Sequence, residues 1–196
     1  MPALSHPVRR TRLAPERERE LYEAVMALVC EVGYDALTMD AVATRAQASK
    51  ATLYRQWNGK PELVATALRE TKAVLVGEVD TGSLPGDLRE IVRRIGDHSA
   101  QNVSVMRGIG QAVERNPELG RALRESLIEP EVQALRRILA RAVARGELDE
   151  NQPATAFLPQ AMLGAVVARP LLEDRPADAA YLTRFVDEMV LPALGL

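Results

Sequence analysis

The sequence predicts an all-α protein of about nine helices, and three observations carry that reading. Nearly every segment of the 196 residues repeats its apolar positions with a helical period. No run of alternating β-branched residues occurs that would suit a strand. Ser, Thr, Pro and Gly fall where helices begin and end. The chain is 47% hydrophobic and 27% charged, which is a globular composition. It is only 4% aromatic, so its core must be mostly Leu, Val, Ala and Ile.

The elements follow in order. Residues 16–33 place Leu21, Val25, Leu28, Val29 and Val32 on one stripe, with Glu16, Glu18, Arg19 and Glu23 outside it. Pro15 suits the first turn, the early glutamates suit the positive end of the dipole, and Gly33 ends the helix. Cys30 reads here as a small buried or half-buried hydrophobe. Thr38 is placed to cap a short helix through Arg45, with Val42 and Ala43 facing in. Gln47-Ala48-Ser49 is a tight break, and Ser49 caps a second short helix over 50–57. Asn58-Gly59-Lys60 breaks again, and Pro61 opens a helix running to about residue 79. "DTGSLPGD", residues 80–87, is the clearest linker. Beyond it the pattern predicts helices at about 87–100, 102–115, 118–145, 153–172 and 177–194, the third of these bent or broken at Pro130.

Charge and composition exclude several function classes. Net charge is −2, but residues 1–60 carry nine Lys/Arg against seven Asp/Glu, and the remainder sixteen against twenty. The asymmetry has the sign expected if the N-terminal part meets a polyanion. Arg9, Arg10 and Arg12 sit in an arm otherwise rich in Pro and small residues, suited to a minor groove or to phosphates. One cysteine permits no internal disulfide and fits a reducing compartment. No apolar signal segment opens the chain, and "AMLGAVVA" is interrupted by Arg169 and Pro170, short of the ~20 residues of a membrane span. The expected location is cytoplasmic, without a membrane partner. Two histidines, His6 and His98, and one cysteine cannot form a zinc cluster of usual spacing. "GIG", residues 108–110, lacks the strand and third glycine of a nucleotide fingerprint, and "DTG" at 80–82 is a coincidence in a helical chain. No enzyme, cofactor or metal site is expected.

The informative stretch is "SKATLYRQWNGK", residues 49–60. On a helical wheel Leu53 and Trp57 share one face, and Ala51 and Arg55 fall opposite. Thr52 and Gln56 lie on one flank, Lys50 and Tyr54 on the other. Small and polar residues allow close approach; Arg can read guanine edges, and Lys or Tyr can reach phosphates. Two short helices, a tight turn and a polar second helix describe a helix-turn-helix.

Residues 33–64, "GYDALTMDAVATRAQASKATLYRQWNGKPELV", resemble the N-terminal domain of TetR-family transcriptional repressors. Gly33, Tyr34, Thr38, Ala43, Ser49, Lys50, Thr52, Leu53, Tyr54, Trp57, Lys60, Glu62 and Leu63 match the family pattern. Gln47 departs from it, standing where the family usually has a turn glycine; if φ is positive there, Gln is strained. Asn58-Gly59 is a milder departure. The resemblance implies an N-terminal three-helix helix-turn-helix domain and a helical C-terminal ligand-binding and dimerisation domain. It divides the chain into a flexible basic arm (1–14), the DNA-binding domain (15–60), a connecting helix (61–80) and a regulatory and dimerisation domain (81–196).

The implied function is a ligand-responsive repressor that binds a palindromic double-stranded operator as a homodimer. Thr38, Ser49, Tyr54 and Lys60 would hold DNA backbone, and Lys50, Ala51, Thr52, Arg55 and Gln56 would face the major groove, Arg55 foremost. The dimer interface would draw on Met162, Ala165, Val166, Tyr181, Leu182, Phe185, Val186 and Met189. A small-molecule inducer pocket would draw on His98, Asn102, Met106, Gln111, Phe157, Gln160 and Met162. Two alternatives stay open: a helical ligand-binding or enzymatic bundle with an incidental helix-turn-helix, and an activator of the same fold.

Overall fold

The computed structural model describes residues 14–71 and 76–196, with the side chains of 100–104 and 106–108 excluded. The arm carrying Arg9, Arg10 and Arg12 therefore lies outside the described residues. The helices are α1 (Pro15–Ala36), α2 (Met39–Arg45), α3 (Lys50–Gln56), α4 (Lys60–Thr71), α5 (Leu84–Asp97), α6 (Ser99–Arg115), α7 (Pro117–Leu123), α8 (Glu129–Ala144), α9 (Leu158–Glu173), α10 (Ala179–Phe185) and α11 (Leu191–Leu194). A wide π turn, Arg124–Ile128, joins α7 to α8, and another, Val186–Val190, joins α10 to α11. Among the described residues this makes nine helical rods and no strand.

Of the two outcomes expected at Pro130, a bend or a break, the rod built from α7 and α8 does not show the break. The Glu129 amide instead reaches back five residues to the Arg124 carbonyl. The widened turn ends just before the proline, whose ring would otherwise press on a carbonyl four residues back. The same device precedes Pro192, where the Leu191 amide donates to the Val186 carbonyl. Two other boundaries move. The helix expected to reach residue 79 ends in the described chain at Thr71, followed after residues 72–75 by a single 3-10 turn, Val76–Glu78. Half of the expected linker is helical: Ser83 accepts from the Gly86 amide at 3.2 Å and starts α5 at Leu84.

Two hydrophobic cores result. The first gathers Leu21, Val25, Val29, Tyr34, Val42, Leu53, Trp57, Leu63 and Val64, closed from outside by Ile109, Leu119 and Leu123 of α6 and α7. α4 thus packs on α1 and α7 inside this core and is not only a bridge. The second gathers Leu84, Leu88, Ile91, Ile138, Ala142, Leu158, Leu182, Val186 and Leu194. Val32 is 50% exposed and Cys30 is exposed, against expectation. Gly33 leaves helical geometry at φ 75, so Tyr34 and Leu37 close that end of the core in place of Val32.

Polar groups fix the start of α5 to α8. Asp87 is fully buried and accepts from the Thr81 amide (2.6 Å) and hydroxyl (2.8 Å). Arg141 approaches it at 3.4 Å and donates to the Val79 carbonyl at 2.7 Å. Glu147 accepts from the Leu84 amide at 2.6 Å. These bonds satisfy groups that burial would otherwise leave unpaired. At the far end of α5 the backbones of α5 and α10 touch. A Cβ on Gly96 would collide with the backbone N and Cα of Ala179.

Candidate nucleic-acid interface

The interface is built from caps and turns upward. Thr38 Oγ1 accepts from the Ala41 amide at 3.1 Å and starts α2. α2 ends in a Schellman turn, with the Ala48 amide on the Ala43 carbonyl (2.9 Å) and the Gln47 amide on the Thr44 carbonyl (3.2 Å). Gln47 takes the left-handed position at φ 49, the condition under which its sequence makes it a strained residue. Ser49 then accepts from the Thr52 amide at 3.1 Å, and the two hydroxyls lie 2.8 Å apart. Arg45 of α2 grips Glu31 of α1 through two bonds of 3.0 and 2.7 Å.

α3 buries one edge and exposes the other. Leu53 is fully buried and Trp57 is buried, its ring edge-on to Tyr22 at 5.9 Å and 81°. Lys50, Ala51, Tyr54 and Arg55 are exposed, as the wheel placed them. Thr52 and Gln56 are half-buried, and the Gln56 Oε1 is buried with no hydrogen-bond partner among the described residues. Gln56 is therefore less free for a groove than its position on the wheel implied. Lys50 forms an ion pair with Asp40 of α2. Arg55 makes no ion pair or hydrogen bond with the described residues, so its guanidinium is the free cation of this face.

Lys60 is used differently from the expectation. Its Nζ donates to the carbonyls of Tyr34 and Leu37, both at 3.0 Å, and sits 4.3 Å from the centre of the Tyr34 ring. Burial lowers its pKa below the ordinary lysine value. The ammonium of this half-buried residue ties the end of α1 to the start of α4. Tyr34 beneath it has a buried hydroxyl with no partner among the described residues, and its pKa is pushed up to about 12, mainly by burial. Glu62, one residue of the motif, accepts from the Asn58 amide at 2.9 Å and closes the turn into α4.

The residues expected at a dimer interface divide. Leu182, Val186 and Ala165 are buried in the second core of a single copy. Met162, Val166, Tyr181 and Phe185 are half-buried against that core; Met189 is 62% exposed. The free face of α9 is instead Leu163, Val167 and Leu171, spaced i, i+4, i+8, with Leu172 beside them at 82% exposure. α9 is apolar on nearly every side, so periodicity could not say which side looks out. Arg169, which interrupted the apolar run in the sequence, is buried beside Asp178 and over the Tyr181 ring. The helical stretch Pro153–Glu173 passes through it unbroken, with mean hydropathy 1.3, long and apolar enough to cross a membrane by length and composition alone.

The expected pocket residues whose side chains are described do not line one cavity. His98 Nδ1 lies 3.0 Å from the Arg94 carbonyl at the α5–α6 junction, and Gln111 and Gln160 are exposed. Met162 packs on the second core, and the side chains of Asn102 and Met106 lie outside the description. Phe157 lines an apolar groove of about 180 Å³ with Ala161, Phe185, Met189 and Leu194.

Comparison with known proteins agrees with this geometry. Residues 21–67 match the family model for bacterial regulatory proteins of the tetR family, and residues 78–189 match a tetracyclin repressor-like C-terminal domain. An uncharacterised HTH-type transcriptional regulator of Mycobacterium bovis is 35% identical over 178 residues, covering 91% of this chain and 88% of the relative. A DNA-binding transcriptional repressor TetR of Mycobacteroides abscessus is 33% identical over 181 residues, covering 89% and 92%. The crystal structure of the TetR family transcription regulator SCO0332 superposes with a TM-score of 0.66 at 26% identity, over 92% of this chain and 98% of that one.

Proposed function

Because the chain belongs to the TetR family and is a helix-turn-helix transcriptional regulator, we propose that it is a ligand-responsive repressor. It occupies a palindromic operator as a homodimer in the cytoplasm. The observation that carries the reading is α3: capped at Ser49, anchored by Leu53 and Trp57, and presenting Arg55 without a counter-charge. Arg55 reads a base edge, with Lys50, Ala51 and Thr52 beside it, while Thr38, Ser49 and Tyr54 hold phosphates. Lys60 supports that surface from within and contributes no phosphate contact.

Two reading helices must stand ~34–36 Å apart, or a multiple of that, to meet successive grooves of one duplex face. The exposed Leu163, Val167 and Leu171 of α9, with Met189, supply the face on which two copies meet. A small-molecule inducer acts by preferring a conformation whose reading helices are badly spaced; without such a preference it would shift nothing.

A gel shift with the DNA upstream of its own gene tests the proposal. Salt-sensitive, sequence-specific binding by a dimer is the expected result. No binding in any ligand state would remove it in favour of a helical ligand-binding or enzymatic bundle. A reporter that falls silent when the regulator is deleted would make it an activator.

A further inference from the structure

The turn between α2 and α3 sets the angle at which α3 meets DNA, and it contains a conformation that its residue disfavours. Gln47 has φ 49, where a Cβ crowds the following carbonyl. Its side chain is too long for the local hydrogen bond by which Asn or Asp eases this position. The carbonyls of Ala46 and Gln47 are also at the end of α2, where the negative pole of the helix dipole lies. Both accept from one group: Arg17 Nη2, at 2.9 Å to Ala46 and 3.4 Å to Gln47. The Nη1 of the same guanidinium is held by Glu20, one turn further along α1.

We propose that Arg17 is a positioning residue for DNA recognition: it braces the strained turn at Gln47 and so orients α3. The proposal rests on the DNA-binding reading above. A cation reaching 29 residues along the chain to the carbonyls of a left-handed turn holds that turn where a glycine would rest unforced. The guanidinium is partly exposed at the turn that leads into α3, so a direct phosphate contact is the competing role. The two roles separate cleanly, because a brace matters only while the turn is strained.

Four proteins decide it: the unaltered chain, Arg17→Met, Gln47→Gly and the double variant. The probe is a duplex enriched from a random-sequence pool by the unaltered protein, with folding of each variant checked by helical circular dichroism. Arg17→Met is expected to weaken binding at least fivefold when Gln47 is kept and less than twofold when it is combined with Gln47→Gly. The slope of log affinity against log salt is expected to stay unchanged. An equal loss in both backgrounds, or a slope reduced by about one contact, would overturn the proposal, since that is the signature of a lost phosphate contact. Amide exchange provides a readout without DNA. The Leu53 and Trp57 amides, bonded to Ser49 and Leu53, should exchange faster in Arg17→Met and recover in the double variant. No recovery counts against the brace. A pool that yields no enriched duplex counts against the DNA-binding reading instead.

Discussion

Arg55, Lys60 and Tyr34 show how three motif residues come to have unlike roles. Arg55→Ala is expected to cost about 1–3 kcal/mol of operator affinity and to relax preference at one base pair per half-site, measured by competition among single-substituted duplexes. Lys60→Met should behave otherwise. It removes a charged donor from two carbonyls, so about 1–2 kcal/mol of folding stability is lost in urea titration while the salt slope of DNA binding holds. Tyr34→Phe should keep the ring under Lys60 and delete a buried, unpartnered hydroxyl. Stability at neutral pH is then expected to stay level or rise by about 1 kcal/mol. Its pH dependence has a definite sign. The folded phenol ionises near 12, above the unfolded value of about 10. Stability is therefore intact below pH 10 and falls between pH 10 and 12, and the variant lacks that loss. The sequence alone could place Leu53 and Trp57 inside and Arg55 outside, because one turn of helix separates the two faces. It could not reveal that Lys60 turns inward, because its acceptors, the Tyr34 and Leu37 carbonyls, lie more than twenty residues earlier.

Among the elements, caps were the most legible features. Thr38 and Ser49 each accept from an amide three residues on, as their neighbours in sequence required, and Gly33 and Gln47 take a positive φ at the ends of their helices. The π turns before Pro130 and Pro192 were not legible as such. A proline announces that a helix must give, but whether it bends, breaks or widens depends on what packs on either side. The outer face of α9 was hidden for a related reason, since an all-round apolar helix has no polar side to mark solvent. Gly96 illustrates the constraint that close packing adds. Gly96→Ala should destabilise by about 1–3 kcal/mol in urea titration, although alanine is the better helix former, because the new methyl meets the α10 backbone at Ala179. A neutral or stabilising result would mean that α5 and α10 can separate freely.

Taken whole, the molecule leaves an apolar strip along α9 that a single copy does not cover. Leu163→Arg together with Leu171→Arg should halve the mass seen by light scattering, keep helical content, and abolish tight operator binding, because one reading head meets only a half-site. Dimers persisting in that variant would place the contact elsewhere. The division into two cores also governs how the protein comes apart on heating. α1 to α4, closed by part of α6 and α7, bury their apolar residues separately from α5 and α8 to α11. Scanning calorimetry should therefore resolve two melting events in place of one cooperative transition. On the proposed binding mode DNA would contact only the unit built on the first core. At a hundredfold excess over its dissociation constant it would add about 2.7 kcal/mol to that unit alone, so the two events can be assigned by which one the duplex displaces.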